Sequence, residues 1–370
     1  MVAPMFPSDH PEPDVDAVDR PGRWITGLSA EMPLLDALER IFQQRYRAVL
    51  HYLPLAADKA DENIEHVHKL RVSCRRLSAV LDVLAEGFPE APRQNLLKLL
   101  EKARRACGKA RDLDVRRMFL ESLLKLASVE DAAVVELLCE QIVCRRERAQ
   151  RKVRRRLEKL ESALCDAGEE LLSSLRSVQR EAADGYGSFG KTGCRILAKE
   201  LAGLWELAAR DLESPQTLHQ LRIAGKHLRY AFEVFVPALH ESFREDFYPQ
   251  LEEIQNLLGE IHDATVATRV FQRNRKKSKK ARGTKNWGRR GLSGFRWREI
   301  RAGLDAVLLA YAQQADHART EFFDLWPGFA GDSFRRPVTE LLTAAGAPAS
   351  GPDPHPPGET QVENEHFLPH

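Results

Sequence analysis

The strongest constraint on the fold is a pattern that the chain writes twice. His68-Lys-Leu-Arg71-Val-Ser-Cys-Arg75-Arg76-Leu77 returns 151 residues later as His219-Gln-Leu-Arg222-Ile-Ala-Gly-Lys226-His227-Leu228. Forty-four residues beyond each histidine stands an aspartate, Asp112 and Asp263. Gly108 and Gly259 precede these aspartates at equal spacing, and Val115 and Val266 follow in the same register. An offset that survives over nearly fifty residues without a gap marks a duplicated structural unit.

Within each copy the apolar residues recur at helical spacing. No segment alternates with period two, so the chain is predicted to be all-α, with no sheet. In the first unit, helices are expected at about 31–56, 62–86 and 91–109, with a long one beyond Asp112 that breaks near Ser128 and resumes to about 176. The second unit mirrors them at about 190–211, 216–238, 242–260, 263–274 and 294–325. Pro54, Gly87, Pro89 and Gly108 read as breakers in the first unit, and Pro215, Pro237 and Gly259 in the second. On this reading Asp112 and Asp263 open the following helices as N-caps. The ordered region spans about 31–326, with a first repeat at about 31–180 and a second at about 181–326. Residues 1–30 and 327–370 are Pro-rich without period and read as disordered tails. The segment 275–293, rich in Lys, Arg, Gly and Ser, reads as a mobile basic loop that interrupts the second unit.

The repeated helix separates two faces. At about 100° per residue, Val67, Leu70, Cys74, Leu77, Leu81 and Leu84 share one arc, and His68, Arg71 and Arg75 share the next. The second copy aligns Leu218, Leu221, Gly225, Leu228, Phe232 and Phe235 against His219, Arg222, Lys226 and Arg229. Like charges four residues apart repel by about a few tenths of a kcal/mol. A helix built only for stability would place glutamates there. Two such stripes related by duplication are expected to extend each other into a groove for an anion.

The net charge is only +2, with 30% charged residues, so the distribution matters more than the total. Residues 145–156 carry eight Arg/Lys against one Glu, and residues 269–301 carry fourteen against one. Such segregation points to a polyanionic partner. Arg145, Arg148, Lys152, Arg155 and Lys159 recur at steps of three and four, which predicts a continuous stripe and a second wall for the groove. At the same offset Arg296 answers Arg145, with Arg301 nearby. Lys102, Arg105 and Lys109 face Glu253, Asn256 and Glu260 in the second copy, so they are weaker candidates.

Six cysteines show no CxxC pair and no zinc-ligand spacing, which suits reduced thiols in a cytosolic protein. The N-terminal segment lacks a basic n-region and an apolar h-region, and no stretch approaches the roughly 18 apolar residues of a membrane span. A soluble, cytoplasmic protein without membrane contact is expected.

The doubled pattern, with the paired segments Cys107-Gly108-Lys-Ala-Arg-Asp112 and Leu258-Gly259-Glu-Ile-His-Asp263, resembles the CHAD family, the conserved histidine α-helical domain. The resemblance covers about residues 30–326. It implies two four-helix bundles related by pseudo-twofold symmetry, with a basic channel between them that binds inorganic polyphosphate. It also implies association with polyphosphate granules. Cys107 departs from the family's usual leucine, and the basic loop is an insertion. The residues then expected to contact polyphosphate are His68, Arg71, Arg75 and Arg76, with His219, Arg222, Lys226 and Arg229. Arg145, Arg148, Lys152, Arg155, Arg296 and Arg301 complete the set.

The chemistry agrees on its own terms. Guanidinium forks match phosphate oxygens bidentately and lysine adds point charge. Single-stranded nucleic acids usually need aromatic platforms beside the cations, and the repeated stripes have none. Trp287, Phe295 and Trp297 near the basic loop are expected to be core or interface residues. Two alternatives stand beside this reading. One is a nucleic-acid-binding protein using the basic helix and loop. The other is a metal-dependent phosphohydrolase using His68, His219, Asp112 and Asp263. The chain carries no HExxH pair, no Glu-x-x-His metal pair, no ExExK strand motif and no phosphate loop, so neither a cofactor, a metal nor catalysis is expected.

Overall fold

The computed structural model describes residues 22–125, 129–181, 187–280 and 297–346. These residues are helical nearly throughout, and among them the only bridge of β type is an isolated pair between Pro33 and Ser188. The first four helices are α1 (Leu34–Asp58), α2 (Glu65–Val83), α3 (Glu90–Leu124) and α4 (Val129–Glu181). Helices α5 (Phe189–Ala208), α6 (Pro215–Phe235), α7 (Tyr248–Lys280), α8 (Trp297–Ala330) and α9 (Asp332–Gly346) follow.

Helices α1 to α4 pack in a closed ring, each against its two sequence neighbours and α4 back onto α1. Helices α5 to α8 pack in the same sequential order, and α9 closes the second ring by lying against both α8 and α5. The repeated helix forms because its apolar face is continuous. Val67, Leu70, Cys74, Leu77 and Leu81 are all buried, as are Leu218, Leu221, Leu228, Phe232 and Phe235. Each such side chain contributes about 1.5–3 kcal/mol by leaving water. Truncating a central one, as in Leu70→Ala, would cost about 2–5 kcal/mol through the cavity left behind.

The two rings meet at several places, among them the start of α1 against the start of α5 beside the Pro33–Ser188 bridge. Helix α2 crosses α6 near the middle of the molecule. Elsewhere α8 packs on the α3–α4 hairpin, where the rings of Phe119 and Tyr311 stack with centroids 3.6 Å apart and Gly303 lies against Val134. A Cβ on Gly303 would stand 2.6 Å from the Val134 Cβ, so this contact needs the missing side chain.

Several expectations need correction, and Pro54 is one, since α1 runs through it to Asp58. Gly108 and Gly259 break nothing: α3 and α7 run through them, and Asp112 and Asp263 lie inside helices rather than at N-caps. One glycine costs a helix about 1 kcal/mol, and the apolar stripe of Ala103, Ala106, Cys107, Ala110 and Leu113 on both sides of Gly108 outweighs it. The N-terminal region is not wholly a free tail. Residues 22–33 pack across both rings, with Ile25 buried, Trp24 edge-on to Tyr248 at 4.9 Å, and Arg23 paired with Glu252 at 3.0 Å. The C-terminal region is ordered past 326: α8 runs through Pro327 to Ala330, and α9 buries Phe334, Val338 and Leu342. Prolines dominated that reading, while the i, i+4 spacing of these three residues carried the helix. Of the basic segment 275–293, the part to Lys280 continues α7, and the rest lies outside the described residues.

Candidate functional site

The crossing of α2 and α6 brings the two repeated stripes together. The cause is local: both helices turn their apolar arcs into their own rings, so the adjoining arcs face each other across the junction. Arg75 of α2 lies close enough to Arg222 and Lys226 of α6 to perturb both. Burial loosens the proton of Arg222 and Arg75 adds to this, while Asp263 opposes it. Burial, then Arg222 and Arg75, pulls the Lys226 ammonium down to about 7 from an ordinary 10.5, again against Asp263. The Nε atoms of Arg75 and Arg222 are buried without a hydrogen-bond partner. Three half-buried cations therefore crowd the α2–α6 junction, two of them with an unsatisfied buried donor.

The paired Gly-x-x-x-Asp segments lie beside this junction. In the first half, Arg71 donates from Nη1 to the carbonyl of Arg104 at 2.8 Å, and its proton is loosened by burial and by Arg75, with Asp112 opposing. Gly108 lies against this guanidinium, where a Cβ would come within 3.4 Å of Nη1. In the second half, Asp263 faces Arg222, and Gly259 leaves open space on the same side of α7. Asp112 and Asp263 thus act as counter-charges to Arg71 and Arg222. His219 stacks on His262, with ring centroids 5.5 Å apart. Burial, then Arg222, lowers the His262 pKa below its ordinary value, with Asp263 opposing. His68 is half-buried on the corresponding face of α2.

Two residues expected to contact polyphosphate, Arg76 and Arg229, lie against carboxylates. Arg76 donates from Nε and Nη2 to the carboxylate of Glu233 at 2.7 and 3.3 Å. Arg229, only 8% exposed, lies 3.8 Å from both Glu233 and Glu252. Tyr248 donates its hydroxyl to Glu233 at 2.9 Å. Burial pushes the Glu233 carboxyl up, but Arg76 and Arg229, with Arg45, outweigh it and hold the pKa below the ordinary value. Arg45 donates to the carbonyls of Gly22 and Arg23 at 3.1 and 2.6 Å, tying the N-terminal segment to the same knot. These are structural charges. The missed signal is a lone carboxylate in the apolar run Tyr230-Ala-Phe-Glu233-Val-Phe235, four residues after an arginine.

The expected second wall stands one helix away. Arg145, Arg148, Lys152 and Arg155 are exposed on α4, opposite Val153 and Leu157 in the core, with α3 between them and α2. Arg301 is exposed on α8 beside Asp305, which pairs with Arg275 at 2.7 Å. Arg275 lies twelve residues beyond Asp263, about 18 Å along α7, so Arg301 is remote from the α2–α6 junction. Arg296 lies outside the described residues, as do Trp287 and Phe295. A separate cavity opens at the end of the first ring, lined by Arg117, Arg146, Arg151 and Arg154 among others. Three of its arginines are already paired: Arg117 with Glu121, Arg146 with Asp114 and Arg154 with Asp58.

Among the described residues, no group of three or more His, Cys, Asp or Glu side chains could hold a metal ion. No helix there is long and apolar enough to cross a membrane.

The CHAD domain family model matches residues 40–272. Among solved structures, the CHAD domain from the plant Ricinus communis is similar with a TM-score of 0.59 and 22% identity, covering 78% of this chain and 96% of that one. PptA from Streptomyces chartreusis is similar with a TM-score of 0.56 and 17% identity, covering 80% and 99%. At these identities the likeness speaks for the fold alone. No curated protein sequence matches the chain.

Proposed function

The chain belongs to the CHAD domain family, and on that premise we propose that it binds inorganic polyphosphate in the cleft where α2 crosses α6. The observation that carries the reading is the crowding of Arg75, Arg222 and Lys226, whose charges oppose one another, with the buried Nε donors of both arginines left without partners. Leaving a buried donor unsatisfied costs about 1–3 kcal/mol, more when it is charged. A phosphate chain removes that cost by accepting from both guanidinium Nε groups and neutralising the ammonium. Arg71 and the histidines extend the line of donors, and the half-buried, mid-helix glycines Gly108 and Gly259 let a chain approach the α3 and α7 backbones closely.

The reading makes the protein a binder rather than an enzyme, and places it in the cytoplasm on polyphosphate granules. The duplicated sequence supports a pseudo-twofold relation between the halves, with His68 and His219 at equivalent positions. Nucleic acid is the weaker ligand, because the cleft cations have no aromatic platform beside them.

The test is a titration of polyphosphate, duplex DNA and single-stranded RNA against the full chain at one salt concentration. Polyphosphate should bind tightest, and the double variant Arg75→Ala, Lys226→Ala should lose that binding with its melting temperature intact. Equal affinity for all three polyanions, or an unaffected double variant, would overturn the reading.

A further inference from the structure

The first half of the molecule carries basic residues that the cleft does not use, and the second half has no basic counterpart to most of them. Helix α3 contacts α2 through Arg104 and Gly108 and contacts α4 through Asp114. Between those contact faces its outward arc presents Lys102, Arg105 and Lys109, all exposed. Arg105 is paired with Glu101 at 2.6 Å, so Lys102 and Lys109 carry the net charge. In the antiparallel α3–α4 hairpin the Arg146–Asp114 pair fixes the level of the two helices. Counting from it sets Lys152 beside residue 108 and Arg155 beside residue 105. The basic face of α4 therefore adjoins that of α3, level with the cleft wall. Glu147 and Glu158 fall towards the other side of α4, by about 80–140° from Arg148 and Lys152.

At the same offset in the second half, Lys102, Arg105 and Lys109 become Glu253, Asn256 and Glu260, and Arg148, Lys152 and Arg155 become Glu299, Gly303 and Ala306. Gly303 is moreover covered by Val134. An anionic chain leaving the cleft along these helices meets cations on the first half and none at these equivalent described positions of the second.

We infer that the outward faces of α3 and α4 form a one-sided extension of the cleft, engaging polyphosphate chains too long to lie within it. This rests on the polyphosphate reading above and adds chain-length selectivity to it. The extension runs from Arg145 to Lys159, fourteen residues or about 21 Å along α4. It touches phosphates without reading anything else, since no aromatic residue accompanies these cations.

The experiment compares tripolyphosphate with long-chain polyphosphate on the full chain. The variants are Arg148→Glu, Lys152→Glu, Arg155→Glu together, and separately Arg75→Ala, Lys226→Ala. The triple variant should leave tripolyphosphate affinity unchanged and weaken long-chain affinity by at least about tenfold. Its slope of log affinity against log salt should fall by roughly 0.7–0.9 for each phosphate that the variant no longer neutralises. The cleft variant should weaken both ligands. All three positions are exposed, so an unchanged melting temperature checks that the triple variant is folded. Equal loss for both lengths, or no loss for either, overturns the extension while leaving the cleft standing. Loss of duplex DNA binding with long-chain polyphosphate unaffected overturns it in favour of nucleic acid. A cleft variant that binds both lengths normally overturns the functional reading itself.

Discussion

Arg75 and Arg76 are adjacent in the chain and meet opposite circumstances. Arg76 reaches across the α2–α6 junction to a carboxylate that is 1% exposed and is bonded by a tyrosine as well. Arg75, one residue earlier and about 100° round the helix, faces Arg222 and Lys226 with a buried Nε and no hydrogen bond to it. The same contrast separates Arg229 from Lys226. One set of charges is closed and holds the two halves together, and the other is open and held apart. A cation at a helix crossing thus says little by itself; what decides its role is whether a carboxylate was folded in with it.

The largest effect should come from breaking the closed set. Glu233→Gln would leave Arg76, Arg229 and Arg45 with much of their positive charge uncompensated in a buried site. Removing one partner of such a group costs about 3–5 kcal/mol. Urea denaturation should show that loss, and a change below about 1 kcal/mol would mean that water reaches the knot.

Next in size is the open set. Charge-assisted hydrogen bonds contribute about 1.5–3 kcal/mol each. Arg75→Ala with Lys226→Ala should therefore weaken polyphosphate binding by about a hundredfold or more, while thermal stability stays level or rises as repulsion is relieved. A fall in stability comparable to that of Glu233→Gln would erase the distinction between the two sets.

A pH effect sharpens the comparison further. Lys226 titrates at about 7 in the folded chain against an ordinary 10.5. Between those values the unfolded chain binds more protons than the folded one. Stability should accordingly rise with pH across that window, and the cost of the charged ammonium is fully present below its lower edge. Bound phosphate favours the ammonium, so binding at pH near 8 should take up a proton and affinity should fall as pH rises above about 7. Calorimetry in buffers of different ionisation heat measures the uptake. If Lys226→Met takes up as many protons as the parent, the coupling belongs to other groups, with His219 and His262 nearest to hand.

The smallest effect is at the cleft wall. Gly259→Ala places a methyl in open space inside a helix and should stabilise the chain by about 0.5–1 kcal/mol. Gly303→Ala, driven against Val134, should destabilise it. Thermal melts of the pair would separate an open cleft from a closed contact.

Periodicity made the helices of the repeat legible, because a continuous apolar arc needs only local spacing to be seen. The buried faces of α2 and α6 follow the wheel residue by residue. The helix ends were less legible. Gly108 and Gly259 looked like breaks because a glycine's cost is local, whereas the apolar stripe that carries α3 and α7 through them runs over many turns. The N-terminal segment and α9 were hidden for the same reason in reverse: their stability comes from Trp24, Ile25, Phe334 and Val338 meeting partners distant in the chain.

The sequence by itself determined the helical class, the duplication, the apolar faces and the type of charge that lies beside them. Tertiary structure alone decided which cations are spent on Glu233 and which remain for a ligand. It also set the α4 stripe one helix away from the cleft rather than within it. The physical reason is range. Burial patterns and backbone hydrogen bonds repeat within a few residues, while an ion pair between Arg76 and Glu233 joins positions 157 residues apart and exists only when two helices cross at one angle.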